Sequence, residues 1–283
     1  MLSIITINFN NAEGLKRTID SVSAQRYKEY EHIIIDGNST HDDSVRIIQE
    51  YDYKQRSTQP QTVERANPII RWISDSDKGI YSAMNKGARM AQGEYVLMLN
   101  SGDALVDSQV LERIVPQLDG TDIVQGNIIE VHDGIAVQNH GYGCSEITMR
   151  DVMEGNFLHQ ASFCRRDLFV RYGYFDESYA IVADKKFFMI CLGLHDASFK
   201  YVDVDVANFD TTGISSATFG EWSTKHEEEN VRLKQELFSA RLREYVQEKE
   251  DTESWLRKIQ KHKWIQKISL FLLHLVESNK FDK

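Results

Sequence analysis

The first hundred residues alternate short apolar runs with amphipathic helical stretches, and this alternation restricts the chain more than any other feature. LSIITINF at 2–9 is largely β-branched, too short for a helix and suited to a strand buried on both faces. AEGLKRTIDSVSAQ at 12–25 places Leu15, Ile19 and Val22 on one helical face. EHIIID at 31–36 predicts a second strand, and DDSVRIIQEY at 42–51 a helix capped by Asp42 or Asp43. IIRWIS at 69–74, SAMNKGARMAQ at 82–92 and EYVLMLN at 94–100 continue the pattern as strand, helix and strand. Alternation of this kind implies βαβ units, hence an α/β fold with a mostly parallel, Rossmann-like sheet flanked by helices. Residues 52–68 are polar, hold two prolines and read as a surface excursion.

Beyond residue 120 the pattern loosens. TDIVQGNIIEV (121–131) and KYVDVDVANF (200–209) read as strands, and LFVRYG (168–173) and DKKFFMICLGL (184–194) as helices. From about residue 219 the chain reads as helix, so the expected division is a main domain over 1–215 and a helical extension over 216–283.

Charge narrows the partners. The formal net charge is −10, from 43 acidic against 33 basic side chains. Nucleic-acid binders neutralise phosphate with clustered Lys and Arg, so nucleic acid is not expected. An acidic chain binds an anionic small molecule when a divalent cation or a local basic group bridges the two. The three cysteines, 144, 164 and 191, lack C-x-x-C spacing and suit a reducing compartment. No apolar run is long enough to span a bilayer, and Met1 leads directly into a strand, so the expected location is the cytoplasm.

Ligands of open parallel sheets bind beyond the carboxyl ends of the strands. The polar residues there are Asn8 and Asn10, then Asp36, Asn38 and Ser39, then Asp75 and Asp77, then Asn100, Ser101 and Asp103. Helix capping accounts for Ser39 and Asp42 but poorly for Asp36, which follows three isoleucines. The turn after the first strand, NFNNAEG, is not G-x-G-x-x-G, and G-x-x-x-x-G-K-[ST] and G-x-S-x-G are absent from the sequence. Dinucleotide-dependent hydride transfer, P-loop phosphoryl transfer and α/β-hydrolase chemistry are therefore unsupported.

SIITINFN, IIIDGNST, DKGIYSAMNKGARMAQGEYVLMLNSGD (77–103) and HQASFCRRDLF…GYFDESYAIVADKKFF (159–188) resemble glycosyltransferase family 2, with the GT-A fold. More narrowly, they resemble its bacterial colanic-acid and O-antigen members. The resemblance covers residues 1–215, with a nucleotide-sugar half over about 1–105 and an acceptor half over about 106–215. It implies inverting transfer of a sugar from a nucleotide-sugar donor, a UDP-sugar above all, to a hydroxyl of a glycan or undecaprenyl-linked acceptor. By that resemblance Asp36 contacts the donor's base, and Asp77, Asn85 and Lys86 line the nucleotide pocket. Asn8, Ser101 and His159 join the donor-binding set. NSGD stands where the family carries its D-x-D metal motif, so Asn100 is left to hydrogen-bond a ribose and Asp103 to hold Mg²⁺ or Mn²⁺. Asp184 matches the catalytic base, with Ala183 where relatives often carry Glu.

Other residues leave alternatives open. His159 is either a core histidine or a site residue, and Arg165 and Arg166 either approach phosphate or are solvated. Asp176 and Glu177 shape the acceptor side or cap a turn, and GISS at 213–216 is a candidate lid. Asp203, Asp205 and Asp210 alternate with apolar residues and read as the solvent face of a strand. In the tail, 258–276 carries Trp264, Ile265, Ile268, Phe271, Leu272, Leu275 and Val276 as one stripe beside Lys258, Lys261, Lys263 and Lys267. Such a helix either lies on an anionic inner-membrane surface or packs against protein, including a second copy. The competing functions are a non-catalytic sugar-nucleotide-binding module and a nucleotidyltransferase, the latter disfavoured because a Gly- and Arg-rich first loop is missing.

Overall fold

The structure is a computed structural model that describes residues 1–57, 68–132, 135–155, 157–211 and 221–248. The candidate lid at 213–216, the stripe at 258–276 and most of the excursion at 52–68 lie outside the described residues. The chain divides into two compact units, Met1–Val231 and Arg232–Lys283.

In the first unit the predicted alternation is present as β1 (Leu2–Asn8), α1 (Ala12–Ser23), β2 (Tyr30–Asp36), α2 (Ser44–Ser57), β3 (Ile69–Ser74), α3 (Ile80–Met90) and β4 (Tyr95–Met98). The strands β3, β2, β1 and β4 lie side by side and parallel. Every residue of β1, β2 and β4 is buried, as their lack of a polar face requires. Leu15 and Ile19 of α1 pack with Ile34, Ile48, Tyr51 and Ile70 on one face. On the other face α3 lies so close to β1 that a Cβ at Gly87 would come 2.4 Å from Ile5 Cγ2, which explains the glycine inside a helix.

Beyond β4 the sheet is mixed, with antiparallel pairs as well as a parallel one. The next elements are β5 (Ala104–Leu105), α4 (Val110–Ile114), β6 (Ile123–His132), β7 (Ile135–Asn139), α5 (Met149–Glu154), β8 (Ser162–Arg165), α6 (Arg166–Tyr172), α7 (Ala183–Met189) and β9 (Phe199–Phe209). The sheet order is β3-β2-β1-β4-β8-β6-β9-β5, with β7 on β6. β8 is antiparallel to both β4 and β6, and β9 is parallel to β6. Two reversals restore direction, so β6 and β9 run the same way as β1. The strands β5, β7 and β8 have two to five residues, below the length at which a periodic pattern shows. Helix α8 (Glu221–Leu237) follows. In the second unit residues 240–248 are also helical. Among the described residues no helix is long and apolar enough to cross a membrane.

Candidate active site

A cavity of about 880 Å³ opens beyond the carboxyl ends of β1, β2 and β4. Of the expected residues, Asn8, Asp77, Asn100, Ser101, Asp103, His159 and Asp184 line it. Asn10 and Asn38, also in its wall, hold φ of 48° and 66°, a left-handed backbone that asparagine tolerates better than other non-glycine residues.

Three expected contact residues stand back from the wall. Asp36 is fully buried. Register places it between Asn8 and Ser74. Its Oδ1 accepts from Asn8 Nδ2 at 2.8 Å and Ser39 Oγ at 2.6 Å, and its Oδ2 from Ser39 N at 2.9 Å and Ser74 Oγ at 2.7 Å. All four acceptor positions of the carboxylate are thus spent internally. Asp36 fixes the Asn8 amide, whose own Oδ1 is buried with no hydrogen-bond partner among the described residues. Asn85 donates to Phe175 O and Glu177 Oε1 and accepts from Phe175 N, all at 2.9 Å, bracing α3 against that turn. Lys86 Nζ donates to Ser76 O at 2.8 Å and pins the loop that carries Asp77. These three shape the cavity through their neighbours.

His159 lines the cavity and meets a carboxylate there. Its Nδ1 lies 3.1 Å from Asp184 Oδ2, with the two side chains 15% and 18% exposed. Asp184 sits in the first turn of α7, and its Oδ1 accepts from Tyr81 Oη of α3 at 2.8 Å. Burial pushes the Asp184 carboxyl up, but the hydrogen bond and charge of His159, with the Tyr81 hydroxyl, hold it below the usual carboxylate range. Burial likewise pushes His159 down, and the bond to Asp184 with the charges of Asp184 and Asp103 raises it above its ordinary 6.5. His159 Nε2 faces Asn100 Nδ2 at 3.4 Å, and Asn100 Oδ1 is buried without a partner among the described residues.

Asp103 lies across the cavity floor, and burial pushes its carboxyl up to about 6. The backbone N–H of Asp210 donates to its Oδ1 at 2.9 Å, while the Asp210 carboxylate adds repulsion. Asp210 also lines the cavity, which corrects the solvent-face reading; Asp203 and Asp205 instead accept from Asn127. It immediately follows β9, a strand parallel to β1, so the strand-end rule finds it once that direction is known. Gly102 makes the approach possible. Its φ is +110°, and a Cβ there would come 2.6 Å from Asp210 Oδ2. Arg17 pairs with Asp210 at 3.3 Å. Among the described residues no three His, Cys, Asp or Glu side chains cluster as metal ligands. Two carboxylates, one of them costly to keep charged, still fit a hard divalent cation that completes its shell with phosphate oxygens and water.

Phe9 was read as the end of a buried strand, yet it is 65% exposed in the cavity wall. A Cβ at Gly37 would come 3.1 Å from both Phe9 Cδ2 and Asp77 Oδ2, so the glycine keeps open a slot between ring and carboxylate.

Residues 3–167 match the family described as "Glycosyl transferase family 2". An uncharacterized glycosyltransferase of Mycobacterium tuberculosis is 32% identical over 233 residues, covering 78% of this chain and 80% of that protein. A "PGL/p-HBAD biosynthesis glycosyltransferase" of Mycobacterium bovis is 30% identical over 221 residues, covering 77% and 80%. Among solved structures, S. aureus TarS 1-349 in complex with UDP superposes with a TM-score of 0.57 at 19% identity, over 79% of this chain and 68% of that one. The mannosyltransferase PcManGT of Pyrobaculum calidifontis, in complex with GDP-Man and Mn²⁺, has a TM-score of 0.54 at 14% identity, over 97% and 84%. These likenesses show the GT-A type of fold.

Proposed function

The chain belongs to glycosyl transferase family 2, and from that premise we propose that it is an inverting glycosyltransferase. In this reading it moves a sugar from a UDP-sugar to a hydroxyl of a glycan or lipid-linked acceptor in bacterial surface-polysaccharide or glycolipid assembly. The observation that carries it is the placement of Asp184 and Asp103 in the wall of one cavity, with His159 between them. Direct displacement at an anomeric carbon needs a proton acceptor at one end and charge neutralisation of the leaving diphosphate at the other. The UDP complex of TarS supports the donor class, and the M. bovis protein's name supports a biosynthetic glycosyl transfer.

Asp184, charged at neutral pH, takes the acceptor hydroxyl's proton as general base, a role worth ~10²–10⁴-fold. Tyr81 and His159 aim its carboxylate. Phe9 offers a face on which a nucleobase stacks, with Asp77 at its edge across Gly37. Asn8 and Asn100 stand in the wall on the side where the donor's sugar and ribose would lie. Asp103 and Asp210 would hold Mg²⁺ or Mn²⁺, which when bound supplies Lewis-acid neutralisation of the diphosphate. A binding module with no reaction to run would need no carboxylate held in position by two partners.

The test is UDP release from a panel of UDP-sugars with Mn²⁺, with and without glycan or polyprenyl-linked acceptors. Acceptor-dependent release with inversion at the anomeric centre is expected. Tight donor binding with no release under any acceptor would favour the binding module.

A further inference from the structure

The segment leading into the base is held by a side chain from far along the chain. Ala180, Ile181 and Val182 precede α7, whose N-terminus has no side-chain cap. Their three successive N–H groups all donate to Glu229 of α8: Ala180 N to Oε1 at 2.8 Å, Ile181 N and Val182 N to Oε2 at 2.9 and 3.3 Å. Glu229 is 7% exposed. On the next residue's flank, Lys185 Nζ donates to Asn230 Oδ1 at 2.8 Å. From the other side the Tyr81 hydroxyl contacts both Ile181 O and Asp184 Oδ1. The peptide between 181 and 182 is therefore gripped at both its N–H and its C=O ends. Ala180, Ile181 and Asp184 are all in the cavity wall.

We propose that Glu229 is a positioning residue for Asp184: its carboxylate fixes the 180–182 backbone and thereby holds the base on His159 and Tyr81. A neutral acceptor would not serve equally. A buried carboxylate with three N–H donors is a charge-assisted cluster, stronger than neutral hydrogen bonds. Removing its charge weakens the hold on all three donors and leaves one acceptor oxygen where there were two, at a largely buried position. The inference rests on the reading of Asp184 as the base, and it makes α8 part of the catalytic machinery although it lies outside the residues that match the family, 3–167.

The experiment uses the full chain without ligand and follows the His159 ring by NMR titration. The groups that face His159 are Asp184 from α7, and Asn100 and Asp103 from the loop after β4; Tyr81 of α3 faces Asp184. Burial lowers the His159 ring, and the Asp184 carboxylate against it, with the charge of Asp103, is expected to hold it above its ordinary value; the metal-free protein keeps the Asp103 contribution the same in every variant. Asp184→Asn sets the reference for a lost partner. Glu229→Gln is expected to move the titration down toward that reference while the protein remains folded. A folded Glu229→Gln with a wild-type His159 titration overturns the proposal. Glu229→Asp keeps the charge on a shorter arm; it is expected to fall between the two and serves alone if the Gln variant does not fold. With the UDP-sugar that the wild type turns over, Glu229→Gln is expected to lower kcat about 10²-fold, the scale of a small misplacement of a reacting group, and to leave donor KM within about twofold. A rise in KM with kcat intact also overturns it. If Asp184→Asn keeps wild-type turnover, the base assignment fails, and the titration still decides whether Glu229 positions that side chain.

Discussion

Gly102→Ala is the most direct probe of how the NSGD turn is built. The backbone there has φ +110°, outside the regions open to L-residues, so alanine costs about 1–3 kcal/mol in strain alone. The new Cβ would also lie 2.6 Å from Asp210 Oδ2. That atom ends a flexible side chain, so the carboxylate can swing away, while Asp210 Cβ at 3.1 Å must give by a few tenths of an ångström. The swing breaks the 3.3 Å pair with Arg17 and draws Asp210 off Asp103. The pair with Arg17 is half-exposed and adds little to the cost. At about 2–4 °C per kcal/mol for a chain of this size, the melting temperature should fall by roughly 2–12 °C. The more telling assay is the melt with Mn²⁺ and UDP. Ligand stabilisation grows with affinity, and a cation that has lost one of two carboxylates binds more weakly, so the Mn²⁺-dependent part of the shift should shrink far more than the shift with UDP and EDTA. A variant that melts with the wild type and keeps its full Mn²⁺-dependent shift would refute both the strain and the pairing of Asp103 with Asp210.

Asp184→Asn preserves size but cannot take a proton; acceptor-dependent turnover should fall ~10²–10⁴-fold with UDP affinity near wild type, and equal turnover would remove the base assignment. Asp36→Ala strips one partner from Asn8, Ser39 and Ser74 together, and urea unfolding should show a loss on the order of 3 kcal/mol, with weaker UDP binding because Asn8 is released. His32, wholly buried against Thr6 and Tyr51, is pushed down by burial to about 3. Its folded form resists a proton that the unfolded chain accepts below about 6.5, so its contribution is complete above 6.5 and is lost as pH falls toward 3. Its share of that decline is about 1.4 kcal/mol per pH unit, and the acid limb of a stability–pH curve should flatten in His32→Gln.

How much of this was legible in the sequence depended on whether a rule needed only local order. The strand–helix alternation to residue 100 and the row of polar strand ends follow from neighbours in the chain, and they located the cavity. Asp36 was found by the same rule but placed one layer too far forward. A polar residue after three isoleucines marks a sheet edge, but the sequence does not say that Asn8 and Ser74 stand in register on either side to occupy it. Phe9 was absorbed into its strand because a run of apolar letters has no mark for its last buried residue. For His159 the sequence does not show that Asp184, 25 positions later, stands against its ring.

Asp210 shows the limit most clearly. It was grouped with Asp203 and Asp205 as an acid among apolar neighbours, but it stands five residues after Asp205, an odd spacing that takes it off the face from which those two accept Asn127. What separates Asp210 is that β9 ends there and runs with β1, a direction set by the short strand β8 turning back twice between β4 and β6. One further letter was informative in hindsight. Glycine in the middle of NSGD departs from a D-x-D motif, and a position that demands φ +110° with no room for a Cβ says that something packs against it. That something is a carboxylate. Gly102 and Asp210 therefore belong to a single arrangement: the turn carries no side chain at 102, and the end of a distant strand brings its own carboxylate into that space beside Asp103.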